Sequence, residues 1–373
     1  MAPAPAFSDF DRSAMQRALA LAARGLASTD PNPRVGCVIA RGERIIGEGW
    51  HERAGEAHAE VAALRAAGPQ AAGATAYVTL EPCSHHGRTP PCTQALGAAR
   101  IARVVYALDD PNPQVNGSGA AALRAAGIAV ESGLLAAEAA ELNPGFLMRM
   151  RAGRPFVRLK LAMSLDGRTA LPSGASRWIT GAEARADVHA WRARSSAILT
   201  GVGTALADDP RLTVRAADED AAPRQPLRVV LDGQLRTPAR ARLLGAPGEV
   251  LLLSALGALD EARAAALSER GARIELLPAQ GTRLDLAAVL ARLAELEVNE
   301  LLVEAGPTLA GALLAAQLVD ELLLYVAPAL LGDAARPLVS LPAPPTLDAA
   351  PRLRLIDTRA LGPDLRLRLR PGS

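Results

Sequence analysis

A chain of 373 residues, half of them hydrophobic, is too long for one ordinary core and long enough to build two. A formal net charge of +2 and an aromatic content of 3% argue against a nucleic-acid enzyme, which ordinarily carries a basic face and rings on which bases stack. No charge-free apolar run reaches the roughly 18 residues of a membrane span, and the longest, 305–319, is broken by Gly306-Pro307 and Gly311. The opening Met1-Ala2-Pro3-Ala4-Pro5 lacks the basic and apolar regions of a signal peptide. Three cysteines suit a reducing compartment, so a cytoplasmic, membrane-free protein is expected.

In chain order, periodicity predicts a helix over 9–27, a strand over 35–40, a hairpin turn at Arg41-Gly42-Glu43 and a strand over 44–50. A helix over 57–67 follows, ended by Gly68-Pro69, then a strand over 76–80 and a helix over 93–100 opened by Cys92. The remaining elements of this half are a strand over 101–108, a helix over 119–126, a strand over 128–132 and a helix over 134–151 capped by Gly153. A sheet covered by helices is an α/β layer fold. Cys37, in the apolar strand, is expected to be buried and inert. Arg151-Ala152-Gly153-Arg154-Pro155 has the proline, glycine and charge of a linker and divides the chain into 1–150 and 154–370.

The first half carries His58-Ala59-Glu60, then Pro82-Cys83, then Cys92. One histidine and two cysteines make three metal ligands, leaving the fourth tetrahedral position open to water, and softness favours zinc. Zinc lowers the pKa of that water toward neutrality. A carboxylate that is not a ligand must then carry the proton to the leaving group, and Glu60 stands two residues from His58. This His-x-Glu and Pro-Cys pattern is the zinc base-deaminase signature. It departs from Cys-x-x-Cys, because eight residues, Ser84-His85-His86-Gly87-Arg88-Thr89-Pro90-Pro91, separate the cysteines. His85, Arg88 and Thr89 in that basic loop could hold a phosphate; the other reading is a solvated spacer.

The run Glu81 to Cys92, with Asn32-Pro33-Arg34-Val35-Gly36 upstream and Asp110-Pro111-Asn112-Pro113 downstream, resembles the deaminase domain of the bifunctional riboflavin-biosynthesis deaminase–reductase family. The resemblance implies a cytidine-deaminase-like three-layer domain over 1–150. It also implies pyrimidine contacts at Asn32 and substrate binding at His85.

The second half again alternates, with strands predicted over 156–163, 197–201, 227–231, 250–254, 272–277, 300–303 and 321–326 and Ala- and Leu-rich helices such as 285–297 between them. Gly201-Val202-Gly203 is followed by Leu206 where a Rossmann fingerprint has its third glycine, which disfavours that site. The strand-then-glycine segment Val303 to Gly311 is a better phosphate site, since its small residues let backbone N–H groups and a helix N-terminus approach an anion. Lys160 is the only lysine among 41 basic residues. A chain that otherwise uses arginine keeps an ammonium where a guanidinium does not serve.

Lys160 to Thr169, Ser176-Arg177-Trp178-Ile179-Thr180, Gly203-Thr204 with Ala207-Asp208-Asp209-Pro210, and Glu304-Ala305-Gly306 resemble the reductase domain of the same family. The resemblance implies a dihydrofolate-reductase-like domain over 154–370 that uses NADPH. Carried over by position, Ala162, Trp178, Thr204, Asp208 and Gly306 contact the nucleotide, and Ser176, Arg192, Leu212, Arg215 and Glu304 hold a phosphoribosyl substrate. Lys160 and Asp208 are both candidates for the proton movement of reduction. The implied chemistry is zinc-dependent deamination of a diaminopyrimidinone carrying phosphoribosylamine, then NADPH-dependent reduction of ribosyl to ribityl, in a homo-oligomer of two or four copies. Two other classes stand beside it: a nucleic-acid base deaminase with an accessory domain, and a non-catalytic zinc scaffold with a ligand-binding second domain.

Overall fold

The computed structural model describes residues 7–85, 90–113, 115–215, 223–257, 260–281 and 283–372. Met1 to Pro5, at the N-terminus, lie outside them, as do His86, Gly87, Arg88 and Thr89 of the cysteine loop. The chain divides into two compact units, Met1–Gly153 and Arg154–Ser373.

The first unit begins with α1 (Asp9–Ala22), whose N-terminus is closed by a reciprocal Ser8–Asp11 capping box. It continues through β1 (Gly36–Arg41), β2 (Arg44–Trp50), α2 (Ala59–Ala67), β3 (Thr75–Val78), α3 (Cys92–Ala98), β4 (Arg103–Tyr106), α4 (Ser118–Ala125), β5 (Ala129–Ser132), α5 (Ala136–Leu142) and α6 (Pro144–Ala152). The sheet order is β2-β1-β3-β4-β5, antiparallel up to β3 and parallel from β3 to β5. Alternation along β1 feeds two cores, as a pleated strand dictates. Cys37 and Ile39 pack with Ala59 and Ala63 of α2 and Leu96 of α3, whereas Val38 and Ala40 pack with Met15 and Ala18 of α1. The result is a three-layer sandwich. At Gly49, a Cβ would stand 2.5 Å from the backbone nitrogen of Ala63, so only glycine lets α2 lie this close to the sheet. Cys37 is fully buried, as expected.

One predicted element differs. The helix expected over 134–151 is two helices, because Pro144 offers no N–H and starts α6 at its first position. Asn143, between them, has its amide clamped on the backbone of Arg34, accepting from the Arg34 N–H at 2.8 Å and donating to the Arg34 carbonyl at 2.9 Å.

The second unit contains β6 (Phe156–Ser164), β7 (Arg168–Ala170), α7 (Ala182–Arg194), β8 (Ala197–Gly201), α8 (Val202–Asp208), β9 (Leu227–Leu231), β10 (Val250–Ala255), α9 (Glu261–Ser268) and β11 (Ala272–Leu277). After the short β12 (Ala279–Gln280) and β13 (Arg283–Leu284) come α10 (Leu286–Glu295), β14 (Glu300–Glu304), α11 (Pro307–Ala315), β15 (Glu321–Ala327), β16 (Arg336–Pro337), β17 (Leu353–Leu361) and β18 (Asp364–Pro371). Nine strands form one sheet in the order β11-β10-β9-β8-β14-β6-β15-β18-β17, with the β17–β18 hairpin antiparallel at one edge. β14 enters between β6 and β8, and all three are parallel. Their carboxyl ends therefore share one edge, where open α/β sheets place ligands. The core holds Val157, Leu159 and Leu161 of β6, Leu301 and Val303 of β14, and Leu290 and Leu293 of α10. Among the described residues, no helix is long and apolar enough to cross a membrane.

Candidate active sites

His58 does not lie in the first turn of the zinc helix, as the sequence suggested. It is the N-cap residue of α2, with extended backbone (φ −71°, ψ 161°). That conformation sends its ring across to the cysteines, which arrive from the loop after β3 and from the first position of α3. Nδ1 of His58 is 3.2 Å from Sγ of Cys92 and 3.6 Å from Sγ of Cys83. Nitrogen and sulfur bound tetrahedrally to one zinc stand about 3.6 Å apart, from bond lengths of about 2.0–2.1 and 2.3 Å. The three ligand atoms lie within 4.8 Å of one another, so this donor set fits zinc. The hydrogen bond with Cys92, the neighbouring His58 and the backbone N–H of Cys92 draw the Cys83 thiol down to about 4, while Cys92, beside that thiolate and buried, is pushed up. Glu60 is 3% exposed in the first turn of α2. Burial and the charge of Cys83 raise its carboxyl, the direction that suits a proton carrier near neutrality.

Residues that the sequence reading did not single out frame this cluster. Glu81 is buried, and its carboxylate accepts the N–H groups of Asp110 (3.3 Å), Gly117 (3.0 Å) and Ala120 (2.9 Å). It thereby pins the Pro82-Cys83 turn on the Asp110 loop and the start of α4. Burial raises Asp110 to about 6; the Asn112 N–H opposes this, and Glu81 and Cys83 add to it. His51 holds Asn32. The amide Nδ2 is 3.0 Å from His51 Nε2, and His51 Nδ1 is 3.1 Å from the Ala57 carbonyl. An imidazole that donates from Nδ1 to a carbonyl accepts at Nε2, so Asn32 donates its NH2 there and its Oδ1 stays available. His51 also meets the His58 ring edge-on at 5.4 Å. His85 is half-buried, and its Nδ1 has no partner among the described residues. Its proposed companions Arg88 and Thr89 lie outside the described residues.

In the second unit, Lys160 of β6 and Glu304 of β14 stand side by side in the parallel register. Arg192 of α7 closes on Glu304 through Nε at 2.6 Å and Nη2 at 2.9 Å, and donates from Nη1 to the Thr213 carbonyl at 2.9 Å. Burial alone would raise Glu304, but Arg192 and then Lys160 hold it at about 2. Burial pushes the Lys160 ammonium down; Glu304 opposes this and Arg192 reinforces it. Its Nζ lies 6.0 Å from the Tyr325 ring centroid. Arg215 reaches the same cluster through His189, another residue the sequence reading passed over.

Thr204 and Gly306, distant in sequence, meet where the Gly306 N–H donates to Thr204 Oγ1 at 3.2 Å. Gly306 caps α11 without any side-chain hydrogen bond, and because Pro307 has no N–H and Gly306 donates to Thr204, the N–H groups of Thr308 and Leu309 are those that could meet an anion such as a nucleotide phosphate. Asp208 ends α8, and its carbonyl accepts from Arg177 Nη2, which ties it to the segment bearing Ser176 and Trp178. Trp178 is 68% exposed, with the Arg185 guanidinium 4.7 Å from its ring centroid. Leu212 is buried with φ +52°, and Ala162 is half-buried against the cluster around Trp191. Among the described residues, no hydrogen bond or ion pair joins Ser176, Trp178, Ala162, Leu212 or the Asp208 carboxylate to the Lys160–Arg192–Glu304 group.

Residues 8–108 match the family model described as the cytidine and deoxycytidylate deaminase zinc-binding region, and residues 155–367 match the RibD C-terminal domain. The riboflavin biosynthesis protein RibD of Escherichia coli K12 is 52% identical over 96% of this chain and 99% of its own length. A solved structure of Acinetobacter baumannii RibD is 46% identical, covers 98% of this chain and 99% of that one, and superposes with a TM-score of 0.89. The Thermotoga maritima diaminohydroxyphosphoribosylaminopyrimidine deaminase/5-amino-6-(5-phosphoribosylamino)uracil reductase is 31% identical over 97% of this chain and 99% of that one, at a TM-score of 0.84. The expected α/β fold class, a cytidine-deaminase-like domain followed by a dihydrofolate-reductase-like one, and the expected zinc and NADPH agree with these likenesses. The chain belongs to the RibD family of bifunctional riboflavin-biosynthesis enzymes, with a zinc deaminase region followed by a reductase domain.

Proposed function

We propose that residues 1–150 hydrolyse the exocyclic amine of 2,5-diamino-6-(5-phosphoribosylamino)pyrimidin-4-one and that residues 154–370 reduce the ribosyl group of the product to ribityl, in a cytoplasmic homo-oligomer of two or four copies. The observation that carries this is the three-ligand cluster of His58, Cys83 and Cys92 with the buried non-ligand Glu60 beside it. A structural zinc would call for a fourth protein ligand; among the described residues three gather, which leaves a position for chemistry.

In the first unit, His58, Cys83 and Cys92 hold zinc, which when bound acidifies a water toward neutral pH. Glu60 takes the proton of the attacking water and hands it to the departing amine, so that ammonia leaves as a carbon–oxygen bond replaces the carbon–nitrogen bond. Asn32, set by His51, offers its Oδ1 to an N–H of the pyrimidine edge. His85 faces the substrate from the cysteine loop. A site built on such polar contacts rejects analogues that leave them unpaired.

In the second unit, NADPH supplies the hydride that the sugar C1 receives. Thr204, Gly306, Ala162, Trp178 and the Asp208 turn hold the nucleotide. Ser176, Arg192, Leu212, Arg215 and Glu304 hold the substrate. Lys160 delivers the accompanying proton, since its ammonium neighbours the Glu304 charge and burial loosens its proton; Asp208 is the other candidate.

Glu60→Ala separates metal binding from catalysis. Ammonia release should fall by about 10²–10⁴-fold, while metal analysis still finds zinc and the reductase still oxidises NADPH on the deaminated substrate. Loss of zinc with the carboxylate would make Glu60 a structural residue and remove its assigned role.

A further inference from the structure

The substrate's phosphate needs cationic donors with capacity to spare, and the two arginines of the second site differ in this. Arg192 already directs Nε, Nη2 and Nη1 at Glu304 and the Thr213 carbonyl, which leaves two of the five N–H groups of a guanidinium. Arg215 is exposed, and among the described residues both its side-chain and backbone contacts are with His189: its backbone N–H at 3.3 Å from Nδ1 and its Nε at 3.2 Å from Nε2. A neutral imidazole has one N–H and one acceptor nitrogen. At most one of these contacts is a hydrogen bond; the other sets a donor against a donor. Around the half-buried His189 stand Arg192 from its own helix, Arg215 from the loop after α8, and Glu304 from β14, whose carboxylate Arg192 occupies. Among the described residues, Glu304 is therefore the one anion of the cluster and is taken by Arg192, and the Thr213 backbone also pairs with His189, so an incoming anion meets guanidinium N–H groups that have no acceptor there.

We propose that His189 is a phosphate-binding residue of the reductase site, its imidazolium donating a ring N–H to the substrate's phosphate between Arg215 and Arg192. The inference rests on the assignment of the phosphoribosyl substrate to this cluster. Without an anion, burial and then the Arg192 and Arg215 charges drive His189 down to about 4, so the free enzyme carries it neutral at pH 7. A phosphate dianion reverses the sign of that field, and the ring takes up one proton from solvent as the phosphate enters. The group is thus neutral when the site is empty, which limits repulsion among the arginines, and cationic when it is filled.

The test compares wild type, His189→Gln and His189→Ala in NADPH oxidation, using the deaminated phosphoribosylamino substrate and its dephosphorylated counterpart. The expected result is that the preference for the phosphorylated substrate, as a ratio of kcat/KM values, shrinks by roughly 10- to 100-fold in both variants, with the change mainly in KM. The second readout is pH. The ratio of wild-type to His189→Gln kcat/KM should fall as pH rises from 6 to 8.5, because only the wild type must gain a proton on binding; dividing by the variant cancels the phosphate's own titration. An undiminished preference in both variants, or a pH-independent ratio, overturns the role of His189. A wild type that shows no preference for the phosphate overturns the substrate assignment itself, and the inference with it.

Discussion

Arg158 is 1% exposed in the second unit and donates to Glu300 and to Glu321, each at 2.7 Å. Charges this deep are tolerated only when paired, and removing one partner of such a pair costs about 3–5 kcal/mol. Glu300 retains Arg194 at 3.1 Å and Glu321 retains Arg368 at 2.7 Å and Arg370 at 3.2 Å, so Arg158→Ala should fall at the low end, about 3 kcal/mol. Urea unfolding of the full chain measures this, and a loss below about 1 kcal/mol would show that the remaining arginines suffice. None of this network was legible in the sequence, where Arg158 is one polar residue in an apolar strand and its partners lie 142 and 163 residues away. The cluster of His58, Cys83 and Cys92 was legible because all three fall within 35 residues in the order of a known signature. His51 and His189 were not, and Glu81 was quoted with its motif but given no role. Each meets partners brought by the fold, and a lone histidine has no spacing to betray it.

At the scale of elements, hydrophobic periodicity located the strands of both sheets to within two residues at most ends, and β8, β9 and β11 in full. It merged α5 and α6, because the apolar spacing continues through Asn143-Pro144 and only the proline and the clamp on Arg34 interrupt it. It also passed over β17 and β18, although Leu365-Arg366-Leu367-Arg368-Leu369-Arg370 alternates with the period of a strand. The arginines there look like a solvated face until Glu321 and Asp187 are seen beneath them. The Asn143 clamp invites a direct test. Asn143→Ala removes two buried hydrogen bonds to the backbone of Arg34, a cost of about 0.5–1.5 kcal/mol for each. Because Arg34 is two residues from β1 and close to Asn32, the variant should lose deamination more than reduction, as read by ammonia release and NADPH oxidation on their separate substrates. Equal losses in both would mean that the clamp supports overall stability and not the Asn32 loop.

Taken whole, the molecule joins two units whose sites use unrelated means. The first brings the His58, Cys83 and Cys92 side chains together, with the buried Glu60 close by, from the loop after β3 and the starts of α2 and α3. The second gathers Lys160, Arg192, Glu304, Arg215 and His189 from widely separated segments at the carboxyl edge of a parallel sheet. That difference explains why, apart from Lys160 and the glycine turn at Gly306, the second site was accessible from sequence only through family likeness. It also sets the central claim, that the two units act in series on one small molecule. The most direct measurement is NADPH oxidation by the full chain, supplied first with the diaminopyrimidinone substrate and then with its deaminated product, in wild type and Cys83→Ser. The account predicts oxidation with both substrates in wild type, and in Cys83→Ser oxidation only with the deaminated product, with zinc lost. Oxidation of the diamino substrate undiminished in Cys83→Ser would contradict it, because reduction would then not depend on the zinc site.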